Sequence, residues 1–385
     1  MMIVWRAPPC KQKKSTGRGP PTGKDMLRAL PPLLLAVCLL LLAEDCALAA
    51  AEAFALWWSS VLPALFPFYL CTSLLLRSGA AQSLVRLLRP VSRLLRLPQG
   101  VLPCLLLGGV AGYPTGARLC ASLGAAQYGA RCSLCSPMFL IALVGGGLLR
   151  GGGSAPLLCL AHYGAALLLL PLRCAGSGDV QPVPEAETGA CAGGALRMVG
   201  DGMAAMVQIG GCIAGASVLA ALLRHLGLHA ALDALAKPLG LPAGLMGALA
   251  QGMLEFTGGC AAVAALGLPL RMAAAACAFL VSFGGLSVFL QTRLFLSGGA
   301  GRYFLLKFLH GALAAAIAYL CAPLLLADAA AVMAQPAQEY ALNALSGASL
   351  LFACAVTVIA AYLGALALSA LPARRPARDR GRPEG

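Results

Sequence analysis

Apolar residues fill this chain in blocks separated by short basic or acidic stretches, and the block lengths predict membrane helices. A crossing takes about 20 apolar residues. Residues 27–43 form a short first block. Residues 57–76 form the second, with Trp57 and Trp58 as interfacial anchors and Pro63 and Pro67 as kinks. Blocks at 132–149, 156–172, 201–223, 272–290, 304–326 and 345–371 bring the count to eight spans. Residues 225–238 read as an amphipathic segment on the outer surface.

Two further blocks do not read as plain helices. Residues 101–123 are interrupted by Gly108, Gly109, Gly112, Pro114, Gly116 and Arg118, and 241–268 are interrupted at Glu255, Thr257, Gly258 and Gly259. Each is expected to be a re-entrant hairpin, the first opening to the cytoplasm and the second outward. Backbone groups freed by a break at membrane depth need protein or a water-lined cavity around them. One break per half of the chain points to a binding site. The halves also resemble each other at an offset of about 145 to 148 residues: His162-Tyr-Gly-Ala-Ala-Leu against His310-Gly-Ala-Leu-Ala-Ala, with Gly112 falling near Gly258. Each half holds one span, a hairpin and two spans. Three crossings is an odd number, so the second copy is expected upside down, the inverted-repeat plan of secondary transporters.

These boundaries divide the chain into a disordered basic tail at 1–26, a first helix at 27–50 and a first repeat at 55–173. A polar loop at 174–200, a second repeat at 201–326, a last helix at 345–371 and a basic tail at 372–385 follow. The first block also fits a signal peptide cleaved after Ala49, and Met26 is an alternative initiator; a retained span is the preferred reading.

Composition sharpens the class. The chain is 60% hydrophobic and 11% charged, where soluble domains carry about a quarter charged residues. The net charge of +14 resides in arginines of tails and loops, which orients a membrane protein and does not call for nucleic acid. Arg77, Arg86, Arg89, Arg93 and Arg96 in one loop, Arg293, Arg302 and Lys307 in another, and the arginines after 373 are placed in the cytoplasm with both termini. Glu44, Asp45, Glu52, Asp328 and Glu339 are placed outside. Sixteen cysteines sit mostly in apolar runs, where Cys acts as a small hydrophobe. Cys132 and Cys135 lack a second pair or a nearby histidine for zinc. No metal, cofactor or hydrolytic constellation is expected, so the chain does not read as an enzyme.

At Gly112-Tyr-Pro-Thr-Gly-Ala-Arg118, Leu254-Glu-Phe-Thr-Gly258 and Ser282-Phe-Gly-Gly-Leu-Ser-Val288, the chain resembles the YlbJ-type sporulation integral membrane proteins of the nucleoside recognition, or Gate, superfamily. The likeness runs in order from Leu62 to Gly311, about two thirds of the chain. It implies an all-α, multi-pass protein of the cell membrane required for the spore cortex. That protein would be a transporter-like permease for a small polar, nucleoside-like solute with a coupling ion, or a non-transporting scaffold of a spore-envelope assembly, and a homo-oligomer is compatible with either. The chain departs from the family at Leu134 and Cys135, where asparagine is usual, and at Phe289, where histidine is.

The candidate solute or ion ligands are Tyr113, Thr115, Arg118, Glu255, Thr257 and Gln291. An intramembrane carboxylate such as Glu255 usually faces a cavity. It could bind a cation or solute hydroxyls, accept a coupling proton, or pair with Arg118 across the two hairpin tips. Ser282, Ser287 and Gln291 are placed on one helix face along a path. His162 and His310, at equivalent repeat positions, read as interhelical hydrogen-bonding residues. Gly112, Gly116, Gly258, Gly259, Gly284 and Gly285 are expected to break helices or let backbones approach, and the freed half-helix N-termini would favour an anionic group.

Overall fold

The structure, a computed structural model, describes residues 23–78, 80–170, 194–296 and 298–326. The expected N-terminal tail up to residue 22, the loop part at 174–193, the loop with Asp328 and Glu339, and the last helix and tail lie outside these residues. The described residues are helical and contain no strand. Four helices are long and apolar enough to cross a membrane: 43–77, 196–225, 270–292 and 300–325. The chain is an all-α membrane protein.

Helix α1 (Gly23–Leu41) exposes Leu33, Leu34, Leu40 and Leu41, a surface that suits lipid. Helix α2 (Ala43–Arg77) is continuous over 35 residues, about 50 Å at 1.5 Å per residue. The expected division between a first span and a second one starting at Trp57 is therefore displaced. Glu44, Asp45 and Glu52 lie within α2, not in a loop, and Trp57 opens a wide, π-helical turn in its middle.

The arginine-rich segment expected as a loop is helix α3 (Ala80–Leu94). Ala81, Val85 and Ser92 are buried with Leu88 beside them, a 3.6-residue stripe, while Arg86, Arg89 and Arg93 face outward. Charge density marked the segment as a loop; its apolar period makes it an amphipathic helix.

Helices α4 (Val101–Ala111) and α5 (Thr115–Ser122) follow, then the single turn α6 (Gly129–Cys132), an extended stretch, the π-helical α7 (Phe139–Leu149) and α8 (Ser154–Leu169). The span expected over 132–149 is thus interrupted. Helix α9 (Gly194–His225) takes in residues 194–200 that were expected in the polar loop. Helix α10 (Leu228–Ala236) covers the expected amphipathic segment. Next come α11 (Leu245–Leu254), α12 (Phe256–Ala265), α13 (Leu270–Phe283), α14 (Gly285–Thr292) and α15 (Ala300–Leu325).

Helices α2 and α9 pack antiparallel: Asp201 at the start of α9 pairs with Arg77 at the end of α2 (3.6 Å), and His225 at its end lies 3.0 Å from Asp45 at the start of α2. Helices α8 and α15 are antiparallel as well, with Gly153 against Leu325 and Gly164 towards Ile317. The inward side of α15 carries Gly311, Ala314, Ala318 and Ala322, small residues that let α13 and α8 come close. The core between α7, α8, α12, α13 and α15 is apolar, built on Leu140, Leu157, Leu158, Leu280 and Val281.

Candidate functional site

Both expected breaks are present, and each is a helical hairpin whose two arms pack closely through glycines. At the first, Gly112 has φ 82 and ψ −179, a conformation essentially restricted to glycine, and ends α4. Helix α5 then folds back so closely that a Cβ on Gly108 would lie 3.1 Å from the Gly116 nitrogen, with the Gly116 Cα closer still. At the second, the interruption falls on Glu255 itself (φ −138, ψ 107), within the expected stretch but on its acidic residue and not on its glycines. Gly258 and Gly259 lie inside α12; a Cβ on Gly259 would be 2.6 Å from the Gly252 nitrogen, so Gly259 serves helix contact and not the bend. A third break separates α13 from α14 at Gly284 and Gly285, with φ of 80 and 74.

The breaks meet at Tyr113. Its ring stands edge-on to Phe256 with centroids 6.0 Å apart, and its hydroxyl donates to the Val281 carbonyl (2.8 Å) near the third break. The Lys307 ammonium reaches the same hydroxyl (3.2 Å) and the Ser133 carbonyl (3.0 Å) in the extended stretch after α6. Lys307 is only 1% exposed. It was expected in a cytoplasmic loop; the structure places it inside α15. An ionisable residue in an apolar run, here Phe304-Leu-Leu-Lys307-Phe-Leu-His310, is the signal that could have found it.

Glu255 and Arg118 do not pair. The Glu255 carboxylate caps α12, accepting from the Thr257 amide (3.0 Å) and the Gly258 amide (2.7 Å). It thereby occupies the helix N-terminus that was expected to favour an anion. Arg118 donates to Ser73 Oγ (2.7 Å) and lies 4.0 Å over the Tyr69 ring, both on α2. Alanine at 255 is expected to lower stability by about 1 to 2 kcal/mol, and glutamine, which keeps one acceptor, by about half as much. The thermal midpoints of the purified variants check the order.

Two cavities adjoin the breaks. One of about 40 Å³ is bordered by Tyr113, Ser136, Thr257 and Gln291 among apolar side chains of α2 and α9. The other, of about 190 Å³, has Glu255 and Gln251 on one side and Glu52, Ser217 and Arg224 on the other. Thr115 is buried at the start of α5 and borders neither. The expected single face of Ser282, Ser287 and Gln291 is divided by the break at Gly284: Ser282 belongs to α13, the other two to α14.

His162 and His310 are in contact, with ring centroids 4.8 Å apart and His310 Nε2 2.9 Å from the His162 carbonyl. The Cys135 amide donates to His162 Nε2 (3.0 Å), so a neutral His162 carries its proton on Nδ1 and donates it to Ser282 Oγ (2.8 Å). His162 thus joins the extended stretch after α6 to the end of α13. No family model, curated protein or solved structure matches this chain.

Proposed function

We propose that this chain is a membrane permease of two half-length copies in opposite orientation, moving a small polar solute through the place where its interrupted helices meet. The order of long helix, amphipathic helix, helical hairpin, interrupted helix and apolar helix occurs twice, from α2 to α8 and from α9 to α15, the closing helix having 16 residues in the first copy and 26 in the second. The corresponding helices α2 and α9, and α8 and α15, pack antiparallel, as copies of opposite orientation would. The topology that goes with this reading has eight crossings and two re-entrant hairpins, with both termini cytoplasmic. The motifs shared with the sporulation proteins supply the setting, formation of the spore cortex.

One observation carries the reading: Tyr113 touches Phe256 at the second break and bonds Val281 beside the third. Secondary transporters hold their solutes where discontinuous helices converge near the midplane. A non-transporting scaffold on the same architecture is the second reading, favoured by the small central cavity of about 40 Å³. The full chain reconstituted into vesicles is expected to give saturable uptake of at least one labelled nucleoside, amino acid, sugar or organic acid, above that of empty vesicles. Uptake of none of them, by protein that keeps its thermal transition, would leave the scaffold in its place.

A further inference from the structure

We infer that the solute is a small organic anion, carrying a carboxylate or phosphate group, and that Lys307 is its charge partner. This rests on the permease reading and adds the chemical class of the cargo. A buried ammonium is costly unless it is paired with an anion. Lys307 is almost fully buried, yet its two acceptors, Tyr113 Oη and the Ser133 carbonyl, are both neutral. Among the described residues no carboxylate pairs with it. The buried acid of the second break, Glu255, has both oxygens turned to the amides of α12.

An ammonium has three N–H donors; two are bonded here, and beyond them the amine has the neutral Tyr113 ring, 5.0 Å away, and no anion. The position of the amine also matters. It is bonded to a residue of the first break and to the stretch between α6 and α7, and through Tyr113 it is linked to Val281 near the third. Tyr113 in turn borders the central cavity with Ser136, Thr257 and Gln291, which supply hydroxyl and amide groups for the rest of a polar solute.

Helix α5 begins two residues after Tyr113 without a side-chain cap, but its Thr115 and Ala117 amides are bonded to the Gly112 and Pro114 carbonyls, so Lys307 alone calls for an anion. The cavity as it stands has room for only a few waters. Entry of an anion therefore requires the breaks to part and the Tyr113 hydroxyl to be exchanged for the anion at the amine.

The test uses the purified full chain, titrated at matched ionic strength with acetate, succinate, inorganic phosphate or uridine monophosphate, and with uridine as the neutral probe. At least one anion is expected to raise the thermal midpoint saturably while uridine does not. Lys307→Met should weaken that binding about tenfold to a hundredfold, the worth of a charge-assisted hydrogen bond, and Lys307→Arg should retain more of it. No stabilisation by any anion in the native chain, or equal stabilisation of Lys307→Met, would overturn the inference. If Lys307→Met does not fold, Tyr113→Phe serves instead: it frees a donor of Lys307 and is expected to tighten anion binding, and unchanged binding counts against the proposal. Uptake separates the two layers. Uptake of uridine that Lys307→Met leaves intact would sink the anion and keep the permease. Anion binding lost in Lys307→Met, with no solute of either charge transported, would keep the site and sink the permease.

Discussion

Gly116→Ala is expected to destabilise the protein by about 3 kcal/mol or more, its added methyl group being, with that of Gly153→Ala, among the most obstructed in the described residues. Its Cβ would lie 2.5 Å from the Cys132 carbonyl carbon, and the carbonyl oxygen stands closer still. Gly116 is an ordinary residue of α5 with no left-handed backbone, so alanine brings no strain of its own. In an open helix the exchange would add about 1 kcal/mol of stability from helix propensity. Overpacking costs about 3 kcal/mol at the upper end of its usual range. That upper end applies here because the obstacle is a backbone carbonyl, which cannot rotate away as a side chain would. The hairpin of α4 and α5 would have to open, and with it the placement of Tyr113. Gly211→Ala and Gly215→Ala, in α9 with open space around them, are the controls and should be neutral or slightly stabilising. Size-exclusion profiles and thermal midpoints read the difference; a Gly116→Ala protein as stable as the controls would contradict the close approach.

The helices and the two hairpins were legible because apolar block length and glycine clusters are local signals. So was the second break, which falls on Glu255 inside the expected interruption; that Glu255 and not a glycine makes the bend was not. Glycine does two jobs in this chain, bending it at Gly112 and letting helices touch at Gly259, and the sequence does not tell one from the other. Glu255 was singled out for its charge, while its capping role depends on an extended backbone at that residue alone. A pair of Arg118 with Glu255 was one alternative, through the meeting of the tips; Arg118 instead meets Ser73 and Tyr69, about 45 residues earlier. Lys307 was hidden by the rule that places basic residues in cytoplasmic loops. Its flanking apolar run was the signal against that rule, but its partners are 194 and 174 residues away, so what its amine bonds is shown by the tertiary fold alone.

His162→Leu is expected to destabilise the protein by about 2 to 5 kcal/mol, and His310→Leu by about 1 kcal/mol. Repeat equivalence gives the two residues one role, but their hydrogen bonds differ. His162 accepts from the Cys135 amide and donates to Ser282 Oγ. Its loss leaves a buried donor in an extended stretch with no helix to satisfy it, and strands a hydroxyl that is 0% exposed. Each unsatisfied group costs about 1 to 3 kcal/mol. His310 donates to the His162 carbonyl, which as part of α8 also accepts from the amide four residues on, so its removal orphans no acceptor. The loss of His162 would also release the α6–α7 stretch from the end of α13, two of the segments that hold Lys307 and Tyr113. His162→Gln, which can keep only one of the two bonds, should fall between native and leucine. The measurement is the thermal midpoint of each variant in the same detergent. Equal losses at the two positions would mean that the histidines are interchangeable packing residues, and that the central junction is held by apolar contact alone.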